Sequence, residues 1–551
     1  MGCFAFYLFA NHGPFVYDAG PSETMTNQPS HNRFMPWLGA LASGLVLAAV
    51  FPPFELKDLA WFALVPLLAA MRAVPPRCAM RYGFATGAVF WLFSISWLTQ
   101  VTVLGWFVLS LYCALYVMPF VLVASFWMHE WDVESGLKNI ALMVVLSLTW
   151  AGAEYTRSVL LTGFPWSPLG ASQYGSLPVI QLARWGGAYL VSALIVFVNV
   201  GVALTIMRTI DSWGRKGFRW HPELLVTLAV TIVAFTSGVR HLRAGQTPTR
   251  PFRVAIVQPN IPQEDKWTAD TVDMIYERLR RLTGDALLLG HLDLIIWPET
   301  ALPDDVRDSV ESYNVVYEAA TNGVPLLVGS MDTEWQDEGK PHYFNSSFLF
   351  NTNGAIDEVY DKRHLVMFGE YIPLQRALPF VKVLTPIQDS FTPGTTSTVF
   401  RLENPRIAFS SLICFEDTVA SLARDSVRNG ARLLINQTND GWFDPSSASR
   451  QHMLQCVLRC VENGVPAVRS ANTGVSCAID ASGRVHDVLD DGQGNVRIQG
   501  CRAATVQVPG ENMPLTFYTR RGDLFAQGAA AVGGSMFIAF LVRRRKVATS
   551  S

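Results

Sequence analysis

The 551-residue sequence has few charged residues and no excess of charge of either sign. Asp, Glu, Lys and Arg make up 16% of the chain, against roughly 25% in soluble proteins. The 43 Lys and Arg residues and the 45 Asp and Glu residues leave a net charge of −2. The chain therefore lacks the basic excess that would indicate a nucleic-acid partner. Hydrophobic residues make up 50% of the chain, which excludes disorder and is unusual for a soluble globule.

Cysteine is also scarce, with 8 residues, and no CxxC pair or regular spacing relates them. Neither a disulfide framework nor a zinc ribbon is expected, and we predict no metal site and no cofactor. His452, Cys456 and Cys460 recur every four residues on a predicted helix. Because metal sites built from one helical face are uncommon, we interpret these three side chains as core packing.

Apolar residues are concentrated in two parts of the chain. Long apolar runs fill residues 36–240 and a last run fills 524–542, whereas 241–523 has the composition of a soluble protein. A membrane-spanning helix needs about 20 mostly apolar residues, so we predict about eight transmembrane helices, seven of them before residue 241. Pro66 interrupts the second predicted span. The predicted spans are 36–53, 57–74, 82–102, 105–128, 138–157, 188–208, 222–240 and 524–542.

The distribution of Arg and Lys orients these spans, because cationic loops stay in the cytoplasm. Basic residues cluster in the loops 72–81 and 208–219 and in the tail 543–551, and all three lie inside if the N-terminus is inside. The odd number of spans before residue 241 then places the domain 241–523 outside the cytoplasm. Residues 1–35 form an N-terminal extension without the cationic start of a signal peptide, and Met25 or Met35 is an alternative beginning.

Two ionisable residues, Glu154 and Arg157, lie near the end of the fifth predicted span. Three residues apart on a helix, their side chains can pair. Ionisable groups at membrane depth are candidates for function, but we interpret these two as a structural pair at the interface. The loop 158–187 that follows is long and aromatic, which is typical of an arm at the level of the lipid headgroups.

Short apolar runs alternate with helical stretches from residue 251 onward, which predicts an α/β layered domain. Glu299, Lys362 and Cys414 each follow directly on a predicted strand. Because strand ends gather ligand-binding groups in α/β sheets, we expect these three side chains to converge. A carboxylate as general base, an ammonium beside an oxyanion and a thiol nucleophile together perform acyl transfer through a thioester. The ammonium is also expected to favour the thiolate.

These residues lie in motifs that resemble the Glu-Lys-Cys triad of the nitrilase superfamily. Further motifs, in both the apolar and the water-facing part, are similar to the apolipoprotein N-acyltransferase family in particular. The resemblance covers about residues 36–542 and implies an αββα sandwich for the water-facing domain. The triad motifs are Trp297-Pro298-Glu299-Thr300, Asp361-Lys362-Arg363-His364-Leu365 and Ile413-Cys414-Phe415-Glu416, and the further motifs are Phe368-Gly369-Glu370-Tyr371, Gln258-Pro259-Asn260-Ile261-Pro262-Gln263 with Trp267, Thr162-Gly163-Phe164-Pro165-Trp166 and Asn439-Asp440-Gly441-Trp442-Phe443.

The resemblance implies a role for each residue of these motifs. Cys414 would be the acylated nucleophile, Glu299 the general base and Lys362 the group that stabilises the tetrahedral intermediate. Glu370 would be a second carboxylate supporting the site, and Glu416 would orient the loop that carries the cysteine. Trp267 would sit on a mobile loop that guards the acyl pocket, and substrate contacts would also come from Tyr371, Trp442 and Phe415, where the family often has Tyr.

The function implied is N-acylation in the bacterial inner membrane, with the catalytic domain in the periplasm. A phospholipid, typically phosphatidylethanolamine, would give its sn-1 acyl chain to Cys414. The α-amino group of the diacylglyceryl-cysteine at the N-terminus of an apolipoprotein would then attack the thioester, the final step of lipoprotein maturation. Two alternatives stay open: a membrane-anchored nitrilase-type amidase, and a transporter or scaffold in which the triad is coincidental. Eight spans favour the transferase, because a hydrolase of soluble amides needs at most one anchor.

Overall fold

Two architectures follow one another along the chain, first a bundle of helices and then two β-sheets covered by helices. The computed structural model describes residues 34–130, 135–213, 220–244, 248–335, 341–372 and 390–549. From Pro36 onward these residues form one compact unit. Most of the predicted N-terminal extension and part of the predicted cytoplasmic loop 208–219 lie outside the described residues.

The bundle is built from apolar helices. Among the described residues, five helical segments are long and apolar enough to cross a membrane: Val103–His129, Gly136–Thr162, Ala183–Asp211, Pro222–Arg243 and Leu524–Arg543. The membrane character predicted from the sequence is thereby supported, and the count of eight spans stays a prediction. The helices are α1 Met35–Ala49, α2 Val65–Met71, α3 Pro76–Ser94, α4 Val103–Ala114, α5 Met118–Glu130, α6 Gly136–Val159, α7 Leu177–Ile180, α8 Ala183–Asp211 and α9 Pro222–Arg243.

Several predicted span boundaries differ from the structure, and the third span, predicted at 82–102, is the helix α3 Pro76–Ser94. The segment 57–74 is not one helix: it forms a 3₁₀ turn at Lys57–Trp61 and then α2. Pro66 lies in the first turn of α2, where a missing N–H costs nothing, so the proline begins a short helix instead of interrupting a long one. At the other end, the last helix continues to Thr549, past the predicted boundary at residue 542.

The water-facing part contains two six-stranded sheets. The first has the order β12-β1-β2-β3-β4-β5 and the second β11-β10-β9-β8-β7-β6. Strands β1, β2 and β3 are mutually parallel, as are β7, β8 and β9, and the other pairs are antiparallel. The strands are β1 Thr249–Gln258, β2 Leu294–Ile296, β3 Leu326–Trp335, β4 Pro341–Phe350, β5 Ile356–Asp361, β6 Phe400–Glu403, β7 Arg406–Ile413, β8 Leu433–Thr438, β9 Ala467–Ala471, β10 Cys477–Ile479, β11 Val485–His486 and β12 Gly500–Pro509.

Alternation along the strands explains the layered packing. In β1, Val254 and Ile256 face the second sheet, whereas Ala255 and Val257 face outward onto helices. Apolar residues on both faces imply a sheet covered on both sides, and the structure has the expected αββα layers. The helices of this part are α10 Val272–Leu287, α11 Val310–Ala320, α12 Ala420–Arg428, α13 Ala448–Asn463 and α14 Phe517–Arg521, and α15 Leu524–Thr549 returns to the bundle.

Helix α13 lies between the second sheet and the bundle and belongs to both. All of its residues except Arg450 are buried, so it exposes almost no face to solvent. Its Gln451 accepts hydrogen bonds from the indole N–H groups of Trp97, at 3.1 Å, and Trp166, at 2.8 Å. Its Glu462 accepts from the backbone N–H of Ala188 in α8 at 2.9 Å. The outer face of the second sheet and the bundle therefore share one continuous core.

Candidate active site

The three residues of the predicted triad lie at strand ends in both sheets. Glu299 follows β2, Lys362 follows β5 and Cys414 follows β7. The Lys362 ammonium nitrogen lies 3.4 Å from Glu299 Oε1. The charges of both residues act on the Cys414 thiol. Glu299 and Lys362 are thus brought together as expected, within electrostatic reach of Cys414, and the catalytic roles of all three stay predictions.

Glu370 holds the lysine more tightly than Glu299 does. Its Oε1 lies 2.6 Å from Lys362 Nζ, and its Oε2 accepts from the Val366 backbone N–H at 2.8 Å. The Asn345 amide donates to both carboxylates, at 2.8 Å to Glu299 and 3.4 Å to Glu370. Burial alone lowers the pKa of Lys362, but the carboxylates of Glu370 and Glu299 outweigh it and hold the pKa well above its ordinary value. Lys362 is thus a fixed, fully charged ammonium.

Cys414 is a protonated thiol in this environment. Burial raises its pKa well above the ordinary value, the charge of Glu299 raises it further, and Lys362 lowers it. Lys362 thus favours the thiolate, as expected, but burial and the charge of Glu299 outweigh it and keep the pKa of Cys414 raised. The backbone of Cys414 has a φ of 51°, which is unusual for a residue with a side chain. The Asn436 amide holds this conformation by donating to the Cys414 carbonyl at 3.0 Å.

Glu416 joins the lysine loop to the cysteine loop. Its carboxylate accepts from the backbone N–H groups of Arg363 at 2.7 Å and His364 at 3.0 Å, directly after Lys362. It also accepts from the N–H of Ile413 at 2.8 Å, directly before Cys414. The Tyr360 hydroxyl lies 2.9 Å from both carboxylate oxygens. The predicted positioning role thus has a physical basis in four donors from two strand ends.

A second lysine, which was not predicted, lies at the site. Lys266 is 2% exposed, and its Nζ donates to the Glu299 carbonyl at 3.2 Å and to Thr300 Oγ1 at 2.7 Å. Burial lowers its pKa to about 8, although the charges of Glu299 and Cys414 act in the opposite direction. A lysine in a loop carries no periodicity that predicts burial. Its only signal was the neighbouring Trp267, whose ring centre lies 5.7 Å from Nζ.

A buried ionic cluster lies directly behind Cys414. His452 Nδ1 is 2.8 Å from Asp440 and its Nε2 is 2.8 Å from Asp417, and Arg469 pairs with both carboxylates. Burial alone lowers the pKa of His452, but the two aspartates bring it to about 9. His452 Nε2 also lies 3.2 Å from the Cys414 carbonyl. His452 is buried together with Cys456 and Cys460, which lie one and two turns further along α13, as its interpretation as core packing expects. Its ion pairs with Asp417 and Asp440 were not predicted.

The described part of the chain contains no group of three or more His, Cys, Asp or Glu side chains that could hold a metal ion.

Aromatic side chains from the bundle pack against Phe415, the residue that follows Cys414. Phe415 stacks on Trp166, with ring centres 6.2 Å apart, and on Phe164, at 6.4 Å. Phe415 also stacks on His364 at 5.9 Å. Trp166 is 2% exposed, so this part of the arm 158–187 is packed inside the protein and not at a lipid surface. The site is thus built from both architectures.

The other predicted substrate contacts lie on the open side of the site. Trp267 is 50% exposed and Trp442 is 46% exposed, which suits side chains that meet a ligand. Tyr371 is partly buried, and its carbonyl accepts from the N–H of Phe368, which is 46% exposed. Phe368, two residues before Glu370 in the same motif, is an exposed aromatic residue to which the resemblance assigned no role.

Glu154 and Arg157 do not pair with each other, contrary to the interpretation from their spacing. Glu154 accepts from the Trp150 indole and from the Leu169 N–H, both at 2.8 Å. Arg157 donates to the carbonyls of Phe164 and Trp166 and lies over the Trp91 ring at 4.5 Å. Both residues therefore fix the arm that covers Phe415, which gives them a structural role different from the expected one.

Comparisons with known proteins match both parts of the chain. Residues 43–201 match the family described as the apolipoprotein N-acyltransferase N-terminal domain, and residues 253–508 match the carbon-nitrogen hydrolase family. An apolipoprotein N-acyltransferase of Geobacter metallireducens is 37% identical over 93% of this chain and 96% of its own length. One from Gloeobacter violaceus is 31% identical over 90% and 92%. Among solved structures, Saccharomyces cerevisiae Nit3, of branch 10 of the nitrilase superfamily, is 18% identical, covers 51% of this chain and 97% of its own, and has a TM-score of 0.36.

Proposed function

Because this chain belongs to the apolipoprotein N-acyltransferase family, we propose that Glu299, Lys362 and Cys414 carry out its reaction. The chain is an acyltransferase, and it N-acylates apolipoproteins. One observation gives the main support for assigning the reaction to Glu299, Lys362 and Cys414. A partly buried thiol lies under the charges of a carboxylate and an ammonium, and the next residue, Phe415, packs against the membrane-bundle arm.

In the first step, Cys414 attacks the sn-1 ester carbonyl of a phospholipid. Since the resting thiol is protonated, Glu299 takes its proton as the sulfur attacks. The oxyanion that forms is stabilised by Lys362, whose ammonium has three donors and remains charged beside Glu370. Collapse of the intermediate releases the glycerol oxygen, which takes the proton from Glu299. The products are a lysophospholipid and a thioester on Cys414.

In the second step, the α-amino group of the diacylglyceryl-cysteine of an apolipoprotein attacks the thioester carbonyl. Glu299 takes a proton from the attacking nitrogen, and Lys362 again faces the oxyanion. Collapse expels the Cys414 sulfur, which recovers its proton from Glu299, and the new amide leaves with the lipoprotein. Both substrates are held in the membrane, so a site bounded by Trp166 and Phe415 raises their effective concentration.

The donor and the location complete the proposal. Phosphatidylethanolamine is the acyl donor, the chain lies in the bacterial inner membrane and crosses it eight times, and the catalytic domain faces the periplasm. The structure provides a position for testing this orientation, because Leu288 on the outer helical layer is 85% exposed. We expect a Leu288→Cys variant to react with a membrane-impermeant maleimide from the periplasmic side of intact inner membranes. Reaction only after the cytoplasmic side is opened would contradict the orientation.

Mass spectrometry of the full-length enzyme with phosphatidylethanolamine tests the reaction. We expect a long-chain acyl adduct on Cys414 that disappears when a diacylglyceryl-cysteine peptide is added. Cys414→Ala is the control and should carry no adduct. Hydrolysis of short amides without any lipid adduct would instead support the amidase. Full function of the Cys414→Ala variant would support a transporter or scaffold.

A further inference from the structure

A second cavity lies where the bundle meets the sheets, and no residue of the candidate active site lines it. Its volume is about 330 Å³. It is bounded by the beginning of α8, the end of α9, and α14 with the residues that precede it. These are the ends at which the helices leave the bundle towards the catalytic part. We call this space the basic cavity.

The name follows from its side chains. Arg184, His241 and Arg520 line the basic cavity, and no Asp or Glu is among the described residues that line it. Within the described ranges, neither arginine forms an ion pair with a carboxylate, and the contact of Arg520 is a bond of 3.4 Å from its Nε to the Thr516 carbonyl. Arg184 is partly buried and Arg520 is exposed beside it, and a partly buried cation is costly without a counter-charge. Two unpaired guanidinium groups at one cavity therefore indicate an anionic ligand.

Gln181 indicates that the ligand also brings a hydrogen-bond donor. Its side chain is 3% exposed, and Nε2 donates to the carbonyls of Leu177 and Ser482. Its buried Oε1 has no hydrogen-bond partner. Buried acceptors are normally satisfied. A headgroup that carries an anionic group beside a hydroxyl or ammonium satisfies this oxygen and the arginines together.

The surroundings of the basic cavity favour a lipid over a free ion. Val233, Ser237 and His241 lie four residues apart on α9 and therefore form one stripe. This stripe runs from an exposed apolar side chain, 66% exposed at Val233, to the polar lining of the cavity. At the mouth, Trp185 is 60% exposed and contacts Phe517 with ring centres 5.9 Å apart. Such aromatic side chains mark the level of the headgroups.

We propose that the basic cavity binds the phosphodiester headgroup of a membrane phospholipid, with its acyl chains along the exposed face of α9. Arg184 and Arg520 bind the phosphate, and Gln181 accepts from the headgroup. This lipid is a bound component of the enzyme and not its acyl donor, since Cys414 lies elsewhere. The proposal goes beyond the transferase reaction and does not depend on it.

Binding of a lipid that cannot react tests the proposal. Full-length protein in detergent micelles is titrated with dialkyl-ether phosphatidylglycerol, which has no ester for Cys414 to attack, and bound lipid is counted by native mass spectrometry. Replacing both arginines, Arg184→Gln with Arg520→Gln, should weaken binding about 100-fold, because each removes a charge-assisted hydrogen bond of about tenfold. The matched control, Arg243→Gln with Arg521→Gln, removes the same charge from exposed positions outside the cavity and should change binding less than about threefold.

Each other outcome overturns the proposal. Equal losses in the two double variants would mean general attraction between cations and anionic lipid. Inorganic phosphate that displaces the ether lipid at equal concentration would mean a free-ion site. If the Arg184→Gln chain does not fold, Arg520→Gln alone provides the test, because that side chain is exposed. About a tenfold loss is then expected, and an unchanged affinity would refute the site.

Discussion

Glu416 connects the two loops that carry the lysine and the nucleophile, so changing it should disturb the fold and the chemistry together. In a Glu416→Gln variant, an NH₂ group replaces one carboxylate oxygen. Its N–H groups then face the backbone N–H groups that had donated to that oxygen. Arg363 and His364 donate to one carboxylate oxygen and Ile413 donates to the other, so at least one of these backbone bonds is then lost. Hydrogen bonds to charged groups contribute about 1.5–3 kcal/mol each, so the loss is at least about 1.5–3 kcal/mol. That is a large fraction of the stability of a typical domain.

The catalytic consequence follows from the same geometry. A shift of about 1 Å between a nucleophile and its partners costs about 100-fold in rate. We therefore expect the acylation of Cys414 by phospholipid, followed by intact-protein mass spectrometry, to slow about 100-fold or more in Glu416→Gln, with a lower unfolding temperature. Tyr360→Phe is the matched control, because it removes one neutral donor and leaves the three backbone bonds in place. It should cost about 1 kcal/mol and slow acylation by less than about tenfold. A Glu416→Gln enzyme with unchanged acylation and unfolding would refute this reasoning.

Three further predictions concern the site and its supporting ions. Cys414→Ser should lose nearly all acyl transfer, because a hydroxyl is much harder to ionise than a thiol; a transfer rate within tenfold of the wild type would contradict nucleophilic catalysis at this position. Lys362→Met should raise the pKa of Cys414 further, so alkylation by iodoacetamide should require a higher pH, and an unshifted pH profile would contradict the contact. The raised pKa of His452, about 9 against 6.5, stabilises the fold below the ordinary pKa and this stabilisation is lost as the pH rises through about 9. The unfolding temperature of the wild type should accordingly fall over that interval, whereas that of His452→Gln should fall less.

The triad could be predicted because its signals are local. Glu299, Lys362 and Cys414 each follow an apolar run that forms a strand. Strand ends in layered α/β folds lie close together regardless of the conformation of the connecting loops. The αββα layers followed from the resemblance and from strands without an exposed face, such as β8, whose residues are all buried. Membrane character followed from composition alone.

The other residues of the site could not be predicted, because their signals are not local. Lys266 is buried because of the conformation of its loop, which no local sequence pattern predicts. From the sequence alone, a lysine at this position is expected to be solvated. His452 shares a helical stripe with two cysteines, and only the tertiary fold brings Asp417 and Asp440 to it. Glu154 has the helical spacing that allows a pair with Arg157. Its carboxylate instead accepts from the Leu169 N–H, because the arm folds back onto the helix.

The burial of α13 has a consequence for how the protein can be divided. A fragment that begins after residue 244 would expose in water the side of α13 that now contacts α8, where Glu462 bonds to the Ala188 N–H. Conversely, a bundle without that helix would leave the indole groups of Trp97 and Trp166 without an acceptor. Neither half should therefore fold alone. Gene truncation or domain exchange at this junction should yield aggregates unless the second sheet and its helices are kept in the same chain as the bundle.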